Sequence, residues 1–477
     1  MSKEKYLIGI DEGSQSAKIL IFDQKGNIVC EDKHPLRPYD LPRPGYVEHP
    51  DDDWWDAICK ASKKCMSKFQ GDPADIVGIG LCTIRYCRAY LKADCTLAQP
   101  ALSWMDVRVS KPYEAVNPEV KYITASSGYI TFRLTGEKKD SIGNYEGGWP
   151  VDVDRWSWSD DPKAYEETGM PREMLFDLVM PGEVLGYVTE RASQETGLPK
   201  GLPVVATSND KAVEGLGTGC MGDDTVCVSL GTYTAAMMEG HTYLRGTKAV
   251  WPKFSSVPHK YLYDSNGIRR GMWTISWFRD VLGEGFARIA QEQGLSPEEL
   301  LSKEAESVPV GSDGLMTVLD WLAPVDAQYK KGIMIGFDGR SDRAHIYRSI
   351  LEAVAMTMQK HVRDMTEELK VSVKKVIITG GGSNSDLFMQ IFADVFGIKT
   401  VRNEVNGAAG LGAAICAAVV CGVYPNFDEA VRNMVRIESC FTPNEDAHQQ
   451  YQRIQPIYED ISNHTDGILK KTYEIFH

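Results

Sequence analysis

Tyr6-Leu-Ile-Gly-Ile-Asp11-Glu-Gly-Ser-Gln-Ser-Ala-Lys18-Ile-Leu-Ile-Phe22-Asp23 reads as a strand, a tight polar turn and a second strand. Thr225-Val-Cys-Val-Ser-Leu-Gly231-Thr-Tyr-Thr-Ala-Ala-Met-Met238 repeats that shape some 215 residues later. A hairpin recurring at half-chain distance predicts two related domains, each opening with the same unit. Three further apolar runs read as buried strands, Ile76–Leu81, Val204–Thr207 and Val376–Thr379, and each ends in a polar or glycine-rich turn. Helical periodicity covers Asp52–Lys68, Ile346–Leu369 and Leu387–Phe396, with Asp51, Asp52 and Asp53 as capping candidates for the first. Strands alternating with helices place the chain in the α/β class. The second hairpin puts the boundary near Met221–Asp224.

The bulk numbers agree with a large globular protein. Of 477 residues, 43% are hydrophobic and 25% charged, which supplies ample core. The 52 Lys and Arg against 66 Asp and Glu give a net charge of −14. That balance disfavours nucleic acid and membrane surfaces as partners, because both need a concentrated basic face. MSKEKYLIGID has no signal-peptide core, and the 11 cysteines carry no CxxC pair, so free thiols in a cytoplasmic protein are expected and zinc is not. Ala408–Val423 is small and apolar and reads as a buried helix.

Four segments carry chemistry. Asp11 ends a strand and precedes Gly13, Ser14 and Ser16, whose amides and hydroxyls suit phosphate oxygens; Asp11 could hold Mg²⁺ and Lys18 adds positive charge. A plain polar hairpin turn explains the same residues. Gly231-Thr232-Tyr233 is weaker alone, yet two facing turns make a clamp for a polyphosphate. Gly380-Gly381-Gly382-Ser383-Asn384 follows a strand and removes side chains where a nucleotide can lie against backbone, and it is not the GxGxxG pattern of dinucleotide sites. Asp210, in Thr207-Ser-Asn-Asp-Lys211, sits at a strand-to-helix junction. There it either accepts a proton from a substrate hydroxyl or serves as a helix N-cap.

These segments together resemble the FGGY family of carbohydrate kinases, relatives of xylulokinase and glycerol kinase in the actin/Hsp70-like superfamily. The most specific element is Gly332-x-Met334-x-Gly336-Phe337, seven residues, then His345-Ile346-x-x-Ser349-Ile350-Leu351-Glu352, which agrees with one family signature at every defined position. Gly45-Tyr-Val-Glu-His-Pro, Trp54-Trp55 and Leu134-Thr135-Gly136 resemble further family segments. The resemblance implies two ribonuclease H-like domains flanking a nucleotide cleft. Residues 1–222 would carry the sugar site and the base, and residues 223–477 the adenosine site. It implies ATP-dependent phosphorylation of a sugar, polyol or sugar-acid hydroxyl, with ATP and Mg²⁺ and with homodimers as a family habit. A catalytically impaired relative or a nucleotide-switching ATPase is the rival reading.

Carried onto this chain, the resemblance implies Asp210 as base and Asp11 as the metal-associated aspartate. Gly13, Ser14, Lys18, Gly231, Thr232, Gly381, Gly382 and Asn384 would face the nucleotide, and Arg85, Tyr86, Trp104, Asp106 and Lys211 the sugar. Three departures stand out. The segment between Arg108 and Tyr129 is short and lacks the other family signature. Tyr86 replaces the usual glutamate or histidine. Lys211 replaces a neutral residue, so Lys211 with Arg85, and Arg88 behind them, would form a cationic floor for an anionic sugar. Pairing of Lys211 with Asp106 or Glu214 is the plainer alternative. His345, the two tryptophans and the methionines of Met356–Met365 read as packing residues.

Overall fold

The computed structural model describes residues 4–477 except Thr232, Val325, Asp326 and Asn406. Thirteen strands form its two large sheets. The first sheet contains β1 (Tyr6–Glu12), β2 (Ser16–Asp23), β3 (Ile28–Pro35), β4 (Ile76–Thr83), β5 (Val184–Tyr187) and β6 (Pro203–Ala206), in the order β5-β6-β4-β1-β2-β3. The second contains β7 (Thr225–Leu230), β8 (Thr234–Gly240), β9 (Val250–Phe254), β10 (Tyr261–Ser265), β11 (Lys375–Thr379), β12 (Thr400–Asn403) and β13 (Ile437–Phe441), in the order β9-β10-β8-β7-β11-β12-β13. In each sheet the central strand is antiparallel to its hairpin partner and parallel to the strand on its other side: β1 to β2 and β4, β7 to β8 and β11. The repeated hairpin therefore nucleates the same topology twice.

Sequence periodicity explains which face each element buries. Ile8 and Ile10 of β1 point to one face and pack with Trp54, Trp55 and Ile58 of helix α1 (Asp53–Lys68). Asp52 stands at the N-cap of α1 but its side chain does not cap the helix. Its carboxylate instead accepts from the Tyr129 hydroxyl and from Arg133. The long C-terminal-half helix begins at Arg343, three residues before the periodicity does, because Asp342 and His345 form a capping box there. Its Met356, Met358 and Met365 are buried.

The two halves share one tight seam. Helix α2 is Asp210–Thr218, α3 is Arg343–Leu369, α4 is Asp386–Phe396 and α5 is Ala408–Val420. On the other face of the first sheet, Gly9 and Gly80 lie opposite one another in the β1–β4 ladder. A Cβ on Gly9 would lie 2.1 Å from the Gly410 carbonyl oxygen, and one on Gly80 1.9 Å from that of Ala413. α5 therefore rests directly on the sheet backbone. It is equally close to α2, where a Cβ on Gly217 would lie 1.9 Å from the Ala408 oxygen. By sequence α5 belongs to the second half, yet it packs on the first sheet with Leu7, Leu20 and Phe22.

Candidate active site

The first hairpin turn is held by the Gly13 N–H bonding to the Ser16 carbonyl at 3.0 Å, and the Tyr39 hydroxyl donates to the Ser14 carbonyl. Asp11 and Lys18 face each other in the β1–β2 register, with Nζ 3.8 Å from Oδ2. Burial pushes the Asp11 carboxyl above the usual carboxylate range; Lys18 opposes that, and the charges of Asp210 and Glu214 add to it. A hard, oxygen-only donor at a strand end suits a Mg²⁺ ion that keeps most of its waters. In the second hairpin Gly231 is described, and Thr232 lies outside the described residues.

Asp210 opens α2, but Asn209 caps it, accepting from the Lys211 and Ala212 amides at 3.1 and 3.2 Å. The capping alternative therefore falls to its neighbour. The Asp210 side chain stays 31% exposed, and Arg85 Nε lies 3.6 Å from its Oδ1. Lys211 turns away along the helix, with Nζ 2.7 Å from Glu214 Oε2 and 3.0 Å from Ser229 Oγ, which itself donates to Glu214 at 2.8 Å. Burial works against its charge, and Glu214 and Asp210 outweigh that and hold its pKa high. The Lys211–Arg85 floor is thus replaced by a Lys211–Glu214–Ser229 knot. Arg88 is also engaged, donating to the Val109 carbonyl at 2.9 Å and reaching that of Lys111 at 3.4 Å.

Arg85 anchors a different network, which the sequence reading missed. Its Nη1 lies 3.0 Å from Asp264 Oδ2 on β10. Lys253 on β9 lies 3.6 Å from Asp264 and 3.4 Å from Glu146 Oε2. Lys253 also donates to the Tyr86 hydroxyl at 2.7 Å, which donates to Glu146 at 3.2 Å. Asn209 Nδ2 completes the ring by donating to Glu146 Oε1 at 2.8 Å. Tyr86 holds this place with φ of 64°, a left-handed backbone uncommon for an aromatic residue. Burial raises the Glu146 carboxyl, with Lys253 and Arg85 opposing. At Asp264 burial pushes the same way, but Arg85 and Lys253 prevail and hold it below the usual range. A lysine inside Val250–Phe254 and an aspartate inside Tyr261–Ser265 were the available signals, since charges in buried strands need partners.

The remaining expected residues divide. Trp104 is exposed, while Asp106 is buried. The Asp106 carboxylate accepts from the Val47 amide at 2.7 Å, from the Arg108 amide at 2.9 Å and from the Arg108 guanidinium, so it binds one loop to another. In the glycine turn, Gly380 has φ of 87° and a Cβ there would meet the Leu230 oxygen at 2.5 Å. A Cβ on Gly382 would meet Leu230 Cδ1 at 2.7 Å. Only Gly381 of the three faces open space, with Asn384 following on the same turn.

The chain as a whole has relatives. Residues 6–121 and 100–217 match the N-terminal domain, and residues 226–421 the C-terminal domain, of the FGGY family of carbohydrate kinases. The chain belongs to that family. This FGGY kinase is 54% identical, over 100% of its length and 97% of the relative's, to the uncharacterized sugar kinase YgcE of Escherichia coli K12. Its fold resembles that of xylulose kinase from Rhodospirillum rubrum, with a TM-score of 0.84 at 21% identity, covering 98% and 100% of the two chains. It also resembles glycerol kinase from Plasmodium falciparum solved with ADP, with a TM-score of 0.80 at 17% identity, covering 97% and 98%. The FGGY kinase is thus a carbohydrate phosphotransferase. Among its described residues no helix is long and apolar enough to cross a membrane.

Proposed function

We propose that the protein transfers the γ-phosphoryl group of ATP to a hydroxyl of a small ketose, polyol or sugar-acid acceptor, with Asp210 as the base. One observation carries this reading: Asp210 is relieved of capping its helix by Asn209, is partly exposed and lies next to Arg85, in a protein whose family phosphorylates carbohydrates. Asp210 accepts the acceptor's hydroxyl proton as that oxygen attacks phosphorus. Arg85, held between Asp210 and Asp264, donates to the acceptor and fixes its orientation. The turn that the Gly13–Ser16 bond holds, through the Ser14 amide and hydroxyl, binds phosphate oxygens together with the Gly231 amide and Lys18. The turn at Gly381, Gly382 and Asn384 lies against adenosine. Asp11 would hold Mg²⁺, which neutralises phosphate charge when bound. Phosphoryl transfer needs little beyond such positioning and charge neutralisation.

The cations around Asp210 are already matched: Arg85 by Asp264 and Asp210, Lys253 by Glu146 and Asp264, Lys211 by Glu214. The end of the acceptor that reacts is therefore a neutral polyhydroxyl segment. The test is coupled ADP release across ketoses, polyols and sugar acids. Acceptor-dependent release that falls by about 10²–10⁴-fold in Asp210→Ala supports the reading. Slow ATP hydrolysis that no acceptor stimulates and the substitution does not change supports the nucleotide-switch alternative.

A further inference from the structure

Beside the acceptor site lies a cavity of about 740 Å³ with no role in the reaction described above. Tyr233 and Trp251 form its walls near the cleft, and Asn266 and Arg269 stand on the loop between them. Both aromatic rings are substantially exposed, at 44% and 57%. Trp251 is fixed by donating from Nε1 to Asn266 Oδ1 at 3.1 Å, and it faces Asp264 across the β9–β10 ladder. Tyr233 lies flat against the loop because residue 267 is glycine: a Cβ there would be 2.5 Å from its ring. Burial raises the Tyr233 hydroxyl pKa and Asp264 adds to this, while the charges of Arg85, Lys253 and Arg269 oppose it. The cavity adjoins the Arg85 network where Trp251, one of its walls, stands opposite Asp264 in the β9–β10 ladder.

The charges of the cavity are distributed unevenly. Glu459 is taken by two contacts from Arg363, at 2.8 and 2.9 Å, and by Gln455. Burial pushes the Asp320 carboxyl towards its neutral form, with Lys330 opposing. Lys360 is paired with Asp364, and Lys330 lies 3.7 Å from Asp466. Arg269 makes one hydrogen bond, to the Ala323 carbonyl, and no ion pair among the described residues. Its guanidinium, without a carboxylate partner among the described residues, lines the same cavity as Tyr233 and Trp251. A planar fork of that kind binds carboxylate and phosphate oxygens in pairs.

We propose that this cavity is a second compartment of the acceptor site, in which Arg269 pairs with the anionic end, a carboxylate or a phosphate, of an acceptor whose chain lies along Tyr233 and Trp251. The neutral segment then reaches Asp210 while the charge stays in the cavity. This rests on the kinase reading and adds the substrate class to it: a sugar acid or sugar phosphate longer than the segment bound at Arg85. The apolar faces of the chain meet the rings, and its charge meets Arg269, which, unlike Lys330 and Lys360 in the same cavity, forms no ion pair among the described residues.

The test is steady-state ADP release by the full chain with three acceptors of equal carbon number: a polyol, the matching sugar acid and the matching phosphate monoester. In Arg269→Gln, KM for one anionic acceptor rises at least about tenfold, the loss of a charge-assisted hydrogen bond, while kcat and the polyol KM stay within about twofold. Arg269→Lys keeps most of the affinity. Direct titration with gluconate, and separately with inorganic phosphate, tells which oxyanion is bound, and the affinity of that one falls in Arg269→Gln. Anionic and neutral acceptors responding alike to Arg269→Gln, in a variant that melts like the wild type, overturn the compartment. Asp210→Ala, run beside it, keeps the two readings apart: transfer lost there but indifferent to Arg269 removes only this inference, whereas transfer unaffected by Asp210→Ala removes the kinase reading itself.

Discussion

Arg85 Nη1 and Asp264 Oδ2 lie 3.0 Å apart although β4, which leads to Arg85, and β10, which carries Asp264, belong to different sheets. The ion pair therefore bridges the two halves at the point where Asp210 stands. Both side chains are largely buried, so removing Asp264 leaves Arg85 only partly compensated, through its longer contact with Asp210, a loss of at most about 3–5 kcal/mol. Asp264→Asn is expected to lower the melting temperature and to raise acceptor KM tenfold or more, because Arg85 then has only Asp210 and Glu146 to orient it. Denaturant titration and ADP-release kinetics measure the two effects. An unchanged KM would remove Arg85 from the acceptor site.

Lys211 is the clearest case of a suggestive residue with an internal use. Its Glu214 and Ser229 partners account for its polar contacts. Lys211→Gln should leave the relative kcat/KM for neutral and acidic acceptors unchanged within about twofold. It should lower stability by about 1–3 kcal/mol through the partly orphaned Glu214. A selective loss of acidic acceptors, measured on a paired panel, would return Lys211 to the acceptor site.

Asp11, half-buried near the end of the first strand with Lys18 opposite it, is the residue proposed to hold Mg²⁺. Asp11→Asn keeps the shape and removes the charge. The Mg²⁺ concentration for half-maximal ADP release should rise about tenfold or more, and chelation should stop release in both proteins. A Mg²⁺ titration settles this, and an unshifted midpoint would move the metal away from Asp11.

Glu12 follows Asp11 and is completely buried, and neither of its carboxylate oxygens has a hydrogen-bond partner among the described residues. Burial pushes its pKa well above the ordinary glutamate value, and Asp11, Asp53 and Asp210 push in the same direction. A carboxyl with a raised folded-state pKa holds its proton more tightly when folded. Stability is then greatest below the unfolded pKa of about 4.3 and falls as pH rises through the folded value, by at most about 1.4 kcal/mol per unit. Glu12→Gln removes this dependence, so its stability relative to wild type should improve steadily from pH 5 to pH 8. Denaturation midpoints at several pH values test it. Parallel pH profiles for the two proteins would mean that Glu12 has a partner in solution.

Much of this was legible in the sequence, and for physical reasons. The hairpin around Asp11 recurs at Gly231 because a local turn signal needs no tertiary information, and both were read correctly as strand–turn–strand. The signature at Gly332–Glu352, which carries most of the family resemblance, works as structure. Gly336 has φ of 102°, and its absent Cβ would meet the Gly314 oxygen at 2.2 Å. Glu352 gathers Arg348, Ser312, Tyr451 and the Gly311 amide, and His345 caps a helix. The proposed acceptor site was only half visible. Arg85 and Asp210 sit in recognisable turns, but Glu146, Lys253 and Asp264 come from three separate segments and meet only once the halves are packed. No local pattern encodes that meeting. Asp106 misled for the converse reason: its motif is local, while its buried carboxylate serves Val47 and Arg108.

The seam at Gly80 makes the last prediction, and it links the fold to catalysis. Gly80 lies on β4, three residues before Thr83 and the turn that carries Arg85, and α5 lies on it so closely that a Cβ would sit 1.9 Å from the Ala413 oxygen and 2.3 Å from its carbon. These are backbone atoms, so no side-chain rotation relieves the clash; either α5 lifts or β4 shifts. Gly217 of α2 meets the same helix from the other side, so lifting α5 also moves the helix that begins at Asp210. Gly80→Ala should therefore cost several kcal/mol as an overpacked core site. In whatever folded fraction remains, it should reduce kcat more than the KM for ATP, since Asp210 and Arg85 lose register while the Gly381 turn does not. Gly381→Ala is the control, because a Cβ there meets open space and should leave stability within about 0.5 kcal/mol. Denaturant titration of both variants, with kinetics on the soluble protein, decides it. A Gly80→Ala protein as stable as Gly381→Ala would show that α5 does not rest on the sheet as described.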